Sequence, residues 1–204
     1  MQPDVPSPID LRRMYDAREW SSTAMSKRPW RTEFFAEFAK VVQRSATPVN
    51  RILELGSGPG FLAQHMLNTL PAATYVALDF SPAMHEIAAE RLGSFSGKVQ
   101  FLQRSFREPE WFHSLGLFEC VATHQAVHEL RHKQYAVGLH TQVKSLLAPG
   151  GFYLVCDHFA GEGGMKNDQL YMTVEEQKAA LASAGFSKVE QLLLKGGLVL
   201  HCAS

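Results

Sequence analysis

"ILELGSGPG", Ile52 to Gly60, is an apolar run that stops in three glycines set one residue apart, Gly56, Gly58 and Gly60. A strand that feeds a glycine-rich turn and then a helix brings a nucleotide-like ligand against main-chain N–H groups. Dinucleotide folds place glycine or alanine at the sixth position of GxGxxG, where helix packs on strand. Here that position is Phe61, and the spacing is GxGxG. Taken alone, the triplet also fits a tight strand-to-helix turn that holds no ligand.

The surroundings of the turn decide the fold class. "RILEL" reads as a strand and "FLAQHMLNTL" as a helix closed by Pro71. "TYVALD" reads as a strand, with Ser81 as N-cap and Pro82 opening the helix "AMHEIAAERL", which Gly93 closes. The strand "VQFLQ", the strand "FECVAT", a helix over about 133–147 and the strand "GFYLVCD" continue the alternation. Strands that are apolar along their whole length, alternating with helices, predict a parallel sheet covered on both faces. The tail breaks the pattern. "TVEEQKAALASAG" carries a Thr173/Glu176 capping box with Gly185 at its end, and "FSKVEQLLL", "KGG" and "LVLHCA" read as a hairpin.

Asp79 ends the second strand, about twenty residues beyond the glycine turn, the distance at which a carboxylate meets ribose hydroxyls. A carboxylate accepts two charge-assisted hydrogen bonds from a vicinal diol, and Phe80 offers a flat apolar face beside a base. The plain alternative for Asp79 is a capping role before Ser81.

Totals narrow the function. The chain has 204 residues, with Lys plus Arg equal to Asp plus Glu at 20 each, so no net charge draws it to nucleic acid or an anionic membrane. No basic stripe, secretory leader or apolar stretch of membrane-spanning length is read in it. Cys120, Cys156 and Cys202 each sit inside a strand-like run, as buried reduced thiols of a cytoplasmic protein do.

"ILELGSGPG", "VALDFSP", "FECVATHQAVHEL" and "LLAPGGFYLVCD", in this order, resemble the class I S-adenosylmethionine-dependent methyltransferases, and within them the small-molecule branch. The resemblance runs from about Arg51 to Ser204. It implies a Rossmann-like sheet of seven mostly parallel strands with a C-terminal antiparallel hairpin and helices on both faces. It also implies S-adenosylmethionine as cofactor. Glu54, Gly56, Ser57 and Gly58 would line its methionine part, Asp79 would take the ribose hydroxyls and Phe80 the adenine. Ser105, followed by Phe106, stands where the family often has an aspartate for the adenine amino group, and Thr123 at the end of the fourth strand joins this set.

Methyl transfer from a sulfonium is an in-line displacement that needs alignment more than acid–base help. Acceptor groups belong at the carboxyl end of the fourth strand, beside the topological switch point. There "THQAVHEL" lacks the Asn-Pro-Pro-Tyr run of the family's nucleic-acid and protein nitrogen methyltransferases, and His124 takes the asparagine's position. His124, read as an imidazole of near-neutral pKa at a pocket mouth, and His128 are the catalytic candidates, with a loop role and a packing role as their alternatives. His158 would face the same pocket from the next strand. No metal site is assigned.

Residues 1–45 are read as a helical lid and residues 46–204 as the cofactor-binding domain. "DLRRMYDA" and "TEFFAEFAKVV" are helical, and "EWSSTAMSKRPW" between them is read as irregular. Tyr15, Trp20 and Trp30 are candidates to pack on an acceptor, and Arg31 to meet the methionine carboxylate. Glycine-rich 160–168 is expected to form a second rim. The resulting expectation is a methyltransferase for a small-molecule acceptor, acting as monomer or homodimer without nucleic acid or membrane. A non-catalytic cofactor-binding module and a nicotinamide-dependent oxidoreductase remain as alternatives.

Overall fold

The computed structural model describes residues 3–70 and 73–204. Two helices, α1 (Met14–Lys27) and α2 (Arg31–Gln43), precede the alternating part. That part runs β1 (Arg51–Leu55), α3 (Phe61–Thr69), β2 (Thr74–Asp79), α4 (Pro82–Arg91), β3 (Val99–Gln103), β4 (Phe118–His124), α5 (Ala136–Ser145) and β5 (Leu147–His158). It closes with α6 (Val174–Ser183), β6 (Val189–Lys195) and β7 (Leu198–Ala203). Pro71, expected to close α3, lies outside the described residues.

All seven strands join one sheet in the order β3-β2-β1-β4-β5-β7-β6. The pairs from β3 to β5 are parallel, and β7 lies antiparallel between β5 and β6. Period-two alternation sends neighbouring side chains to opposite faces. On β1, Leu53 and Leu55 enter a core shared with α5 and α6, while Ile52 enters a second core with α2 and α3. Strands apolar on both sides are thus explained by two buried faces. The order reverses between β1 and β4, so the ends of these strands diverge into a crevice.

The local signals act as read. The Ser81 side chain accepts the Met84 N–H at 3.0 Å with Pro82 at the first helical position, and Thr173 with Glu176 forms a reciprocal capping box. Phe34, Phe35, Phe38 and Val42 are buried on one stripe of α2.

The N-terminal reading needs correction. The stretch read as irregular is helical as far as Lys27. Its buried stripe is Ala17, Ser21 and Ala24, small residues that let α1 settle on Ala83, Met84 and Ile87 of α4. Small side chains carry little hydrophobic signal, so the helical period was hidden. The helix expected over 133–147 is a 3₁₀ turn, Lys133–Tyr135, followed by the shorter α5, because Leu147 already belongs to β5. None of the described helices is long and apolar enough to cross a membrane. The three cysteines are free thiols, with Cys202 only half-buried.

Candidate active site

The three glycines of the turn are required for different reasons. A Cβ on Gly56 would lie 2.3 Å from the Cβ of Ala126, so the turn after β1 presses against the turn after β4. A Cβ on Gly60 would meet Leu92 at 3.2 Å and Ala88 at 3.3 Å, which brings α3 against α4. Gly58 differs. Its φ is +52°, yet nothing lies within 4 Å of where a Cβ would stand. Of the three positions, only Gly58 faces open space, on the wall of the crevice.

Asp79 closes the other side of this wall. Its Oδ2 accepts the Gly58 N–H at 2.8 Å and its Oδ1 accepts the Ser81 N–H at 2.9 Å. Each carboxylate oxygen retains a second lone pair. Burial pushes its pKa up to about 6, against the pull of the backbone N–H groups of Ser81, Gly58 and Phe80. Glu54 is buried beside it and accepts the Tyr75 hydroxyl at 2.8 Å on Oε2. Burial outweighs that bond and raises Glu54 to about 8, so the side chain is mainly neutral at pH 7.

A buried cation stands opposite. Arg31, the first residue of α2, is 3% exposed, and burial, aided by Arg28, lowers its pKa to about 10. Its guanidinium carbon lies 5.2 Å from the Trp20 ring centroid. Nε donates to Oε1 of Gln125 at 2.6 Å, whereas Nη1 is buried and has no protein partner. Ser57 Oγ and His124 Nε2 share that condition, and all three residues line the crevice. Buried polar atoms normally find partners. An amino-acid arm, with a carboxylate for the guanidinium and donors for the hydroxyl, fits this set.

The crevice has two compartments. The narrow one, about 90 Å³, runs past Trp20, Arg31, Phe35, Glu54, Gly58 and His124. The wider one, about 420 Å³, lies between Phe80, Ser105 and Phe106 on one side and residues 4–12 on the other. Leu11, Phe80, Phe106 and Glu129 border both. The N-terminal strand of chain is tied across the wide compartment by Arg131, which donates to the carbonyls of Val5 at 2.9 Å and Pro6 at 2.7 Å. Arg12 rests 4.7 Å from the Phe80 ring centroid.

Several expected site residues are placed elsewhere. Thr123 turns its hydroxyl to the carbonyl of Leu55 at 3.0 Å, knitting β4 to β1. Tyr15 is 73% exposed on the outer face of α1 and borders neither compartment. Trp30 covers the hairpin turn, where a Cβ on Gly196 would lie 2.2 Å from its ring, so it fastens α2 to the sheet edge. Residues 160–168 fold onto Phe159 and line neither compartment.

The histidines need correction too. His124 does line the crevice, but its ring sits among Phe34, Phe35 and Phe38 of α2, with centroids 5.0–6.3 Å away. Burial, then the Arg31 charge, drops its pKa to about 3, far from neutrality. His128 is outside the crevice wall. Its Nδ1 meets Asp157 Oδ1 at 2.7 Å and its backbone N–H donates to Oδ2 at 2.8 Å. Burial opposes charging of this ring, but Asp157 and Glu129 outweigh it and hold the imidazolium. A ring so paired is a poor proton acceptor. His158 also stands behind the wall, its Nε2 2.8 Å from the amide nitrogen of Gln125.

Gln125 and Arg131 were not singled out from sequence. The one local sign for Gln125, a left-handed backbone with φ 59°, is invisible in the residue type.

The fold is that of the class I S-adenosylmethionine-dependent methyltransferases. Residues 52–151 match a family model described as a methyltransferase domain. Two curated relatives are malonyl-acyl-carrier-protein O-methyltransferases. That of Anoxybacillus flavithermus is 32% identical over 85 residues, 42% of this chain and 32% of the relative. That of a Paenibacillus species is 26% identical over 179 residues, 82% and 63% respectively. The chain therefore spans less than two thirds of either relative. Among solved structures, human N-acetylserotonin methyltransferase in complex with S-adenosylmethionine superposes with a TM-score of 0.72 at 16% identity, covering 95% of this chain and 56% of that one. DesVI of Streptomyces venezuelae superposes with a TM-score of 0.68 at 15% identity, covering 90% and 95%. At these identities the structures speak for the fold.

Proposed function

We propose that this chain transfers a methyl group from S-adenosylmethionine to a small-molecule acceptor, with residues 1–45 as the lid of the site. The observation that carries the reading is the buried Arg31 guanidinium, with one nitrogen unpartnered, facing a crevice that also holds the Gly58 turn and the Asp79 carboxylate. A buried cation without a counter-charge is costly and gains most from an anionic ligand group. The free lone pairs of Asp79 suit a ribose diol, and Phe80, Ser105 and Phe106 suit a base in the wider compartment.

When bound, the cofactor supplies an activated methyl group on a sulfonium. The chain's own residues orient and exclude water. Trp20, Phe35 and His124 wall the narrow compartment and would receive the acceptor there. His124, neutral at any physiological pH, orients the acceptor by a hydrogen bond at Nε2 and does not serve as its base. The curated relatives are named for methylation of an oxygen on a carrier-bound group. That agrees with an acceptor already acidic enough to need no protein base, a carboxylate being one such group.

Thermal shift and calorimetry with S-adenosylmethionine, S-adenosylhomocysteine and NAD test the reading. The two sulfur compounds should stabilise the protein and NAD should not. Stabilisation by NAD alone would contradict it, and binding without turnover on any acceptor panel would favour a non-catalytic module.

A further inference from the structure

Gln125 occupies an unusual place. It follows β4 directly, and its backbone enters the left-handed region that residues with a side chain avoid. Its N–H donates to the carbonyl of Cys156 at 2.8 Å, which pins that conformation to β5. The side-chain amide then bridges two elements: Oε1 accepts from Arg31 Nε at 2.6 Å, and Nε2 lies 2.8 Å from His158 Nε2.

The polarity of this bridge is fixed. Arg31 Nε can only donate, so Gln125 must present oxygen to it and the NH2 group to His158. His158 Nε2 must therefore accept, and its proton is on Nδ1. Burial, which lowers the His158 pKa to about 4, keeps the ring neutral and the bridge in this orientation. His158 is itself held, its carbonyl accepting from Gln177 Nε2 at 2.9 Å and its N–H donating to Asp157 at 2.7 Å. A neutral amide takes up Nε without cancelling the guanidinium charge.

We propose that Gln125 is the positioning residue for Arg31: by engaging Nε it aims the unpartnered Nη1 at the carboxylate of the ligand's amino-acid arm, and so makes the crevice select ligands that carry that arm. The inference rests on the cofactor reading above.

Calorimetry with S-adenosylhomocysteine and with 5′-methylthioadenosine, which lacks the amino-acid arm, tests it. Gln125→Gly removes the amide and accepts the left-handed backbone without strain. It should weaken S-adenosylhomocysteine about tenfold and leave methylthioadenosine unchanged. Gln125→Glu, which neutralises Arg31, should do the same or more. In an Arg31→Met background, Gln125→Gly should have no further effect, since the two act as one unit. Unchanged binding of S-adenosylhomocysteine, or equal weakening of both ligands, would overturn the proposal. If the unaltered protein binds neither compound, the cofactor reading fails first and takes this inference with it.

Discussion

The backbone N–H of Gly58 donates to Oδ2 of Asp79 at 2.8 Å, joining the turn after β1 to the end of β2. The bond closes one wall of the crevice and holds the carboxylate where its remaining lone pairs face inward. Asp79→Asn loses the charge and, with an NH2 group in place of one oxygen, one of the two backbone hydrogen bonds. It should weaken S-adenosylhomocysteine by about 1–3 kcal/mol, read by calorimetry.

The same residue sets a pH dependence. Burial places its pKa at about 6 in the free protein, and a diol binds the ionised form better. The Asp79 share of the affinity should therefore decline as pH falls through about 6, below a separate limb nearer pH 8 that belongs to Glu54. A titration of the dissociation constant between pH 5 and 8 reads this as a limb that Asp79→Asn lacks.

Glu54 predicts a proton release. It is mainly protonated at pH 7, with a pKa of about 8 raised by burial. An ammonium group brought to the crevice favours its ionised form. Binding of S-adenosylhomocysteine at pH 7 should expel a proton, and methylthioadenosine should not. Calorimetry in buffers of different ionisation enthalpy distinguishes them, and Glu54→Gln should abolish the difference.

Gly56 and Gly58 should respond oppositely. Gly56→Ala drives a methyl group into Ala126 and strains a positive φ. It should cost about 2–4 kcal/mol of stability. Gly58→Ala meets no protein atom, so its stability loss should be near the backbone term of about 1 kcal/mol, whereas ligand affinity should fall sharply. Denaturant melts and calorimetry on both variants measure the contrast.

Buried histidines of opposite habit shape the acid and alkaline limits of stability. His140 is held neutral by burial, with a pKa of about 4. The unfolded chain, at about 6.5, binds its proton first, so His140 destabilises the fold progressively as pH drops below 6.5. His128 is the reverse. Its raised pKa means that the pair with Asp157 stabilises fully below 6.5 and is lost as pH rises through the folded pKa. His140→Leu should flatten the acid limb of a stability–pH curve and His128→Leu the alkaline limb.

The sheet was legible because buried parallel strands are apolar along their length and their helices carry caps, as at Ser81 and Thr173. That the glycine turn and Asp79 belong to one site was legible from their spacing, but that Asp79 takes the Gly58 N–H itself was not. Nor was orientation. Nothing in the residue types says that Trp30 faces the hairpin while Trp20 faces the crevice, or that the Thr123 hydroxyl bonds to Leu55. α1 was obscured by its stripe of Ala17, Ser21 and Ala24. The state of His124 depends on Phe34, Phe35 and Phe38, some ninety residues earlier in the chain, closing around it.

A crystal structure with S-adenosylhomocysteine bound tests the central claim most directly. The ribose hydroxyls should meet the Asp79 oxygens, with the carboxylate on Arg31 Nη1 and the base between Phe80 and Ser105. A ligand lodged elsewhere, or this crevice closed by its own side chains at saturating ligand, would contradict the account.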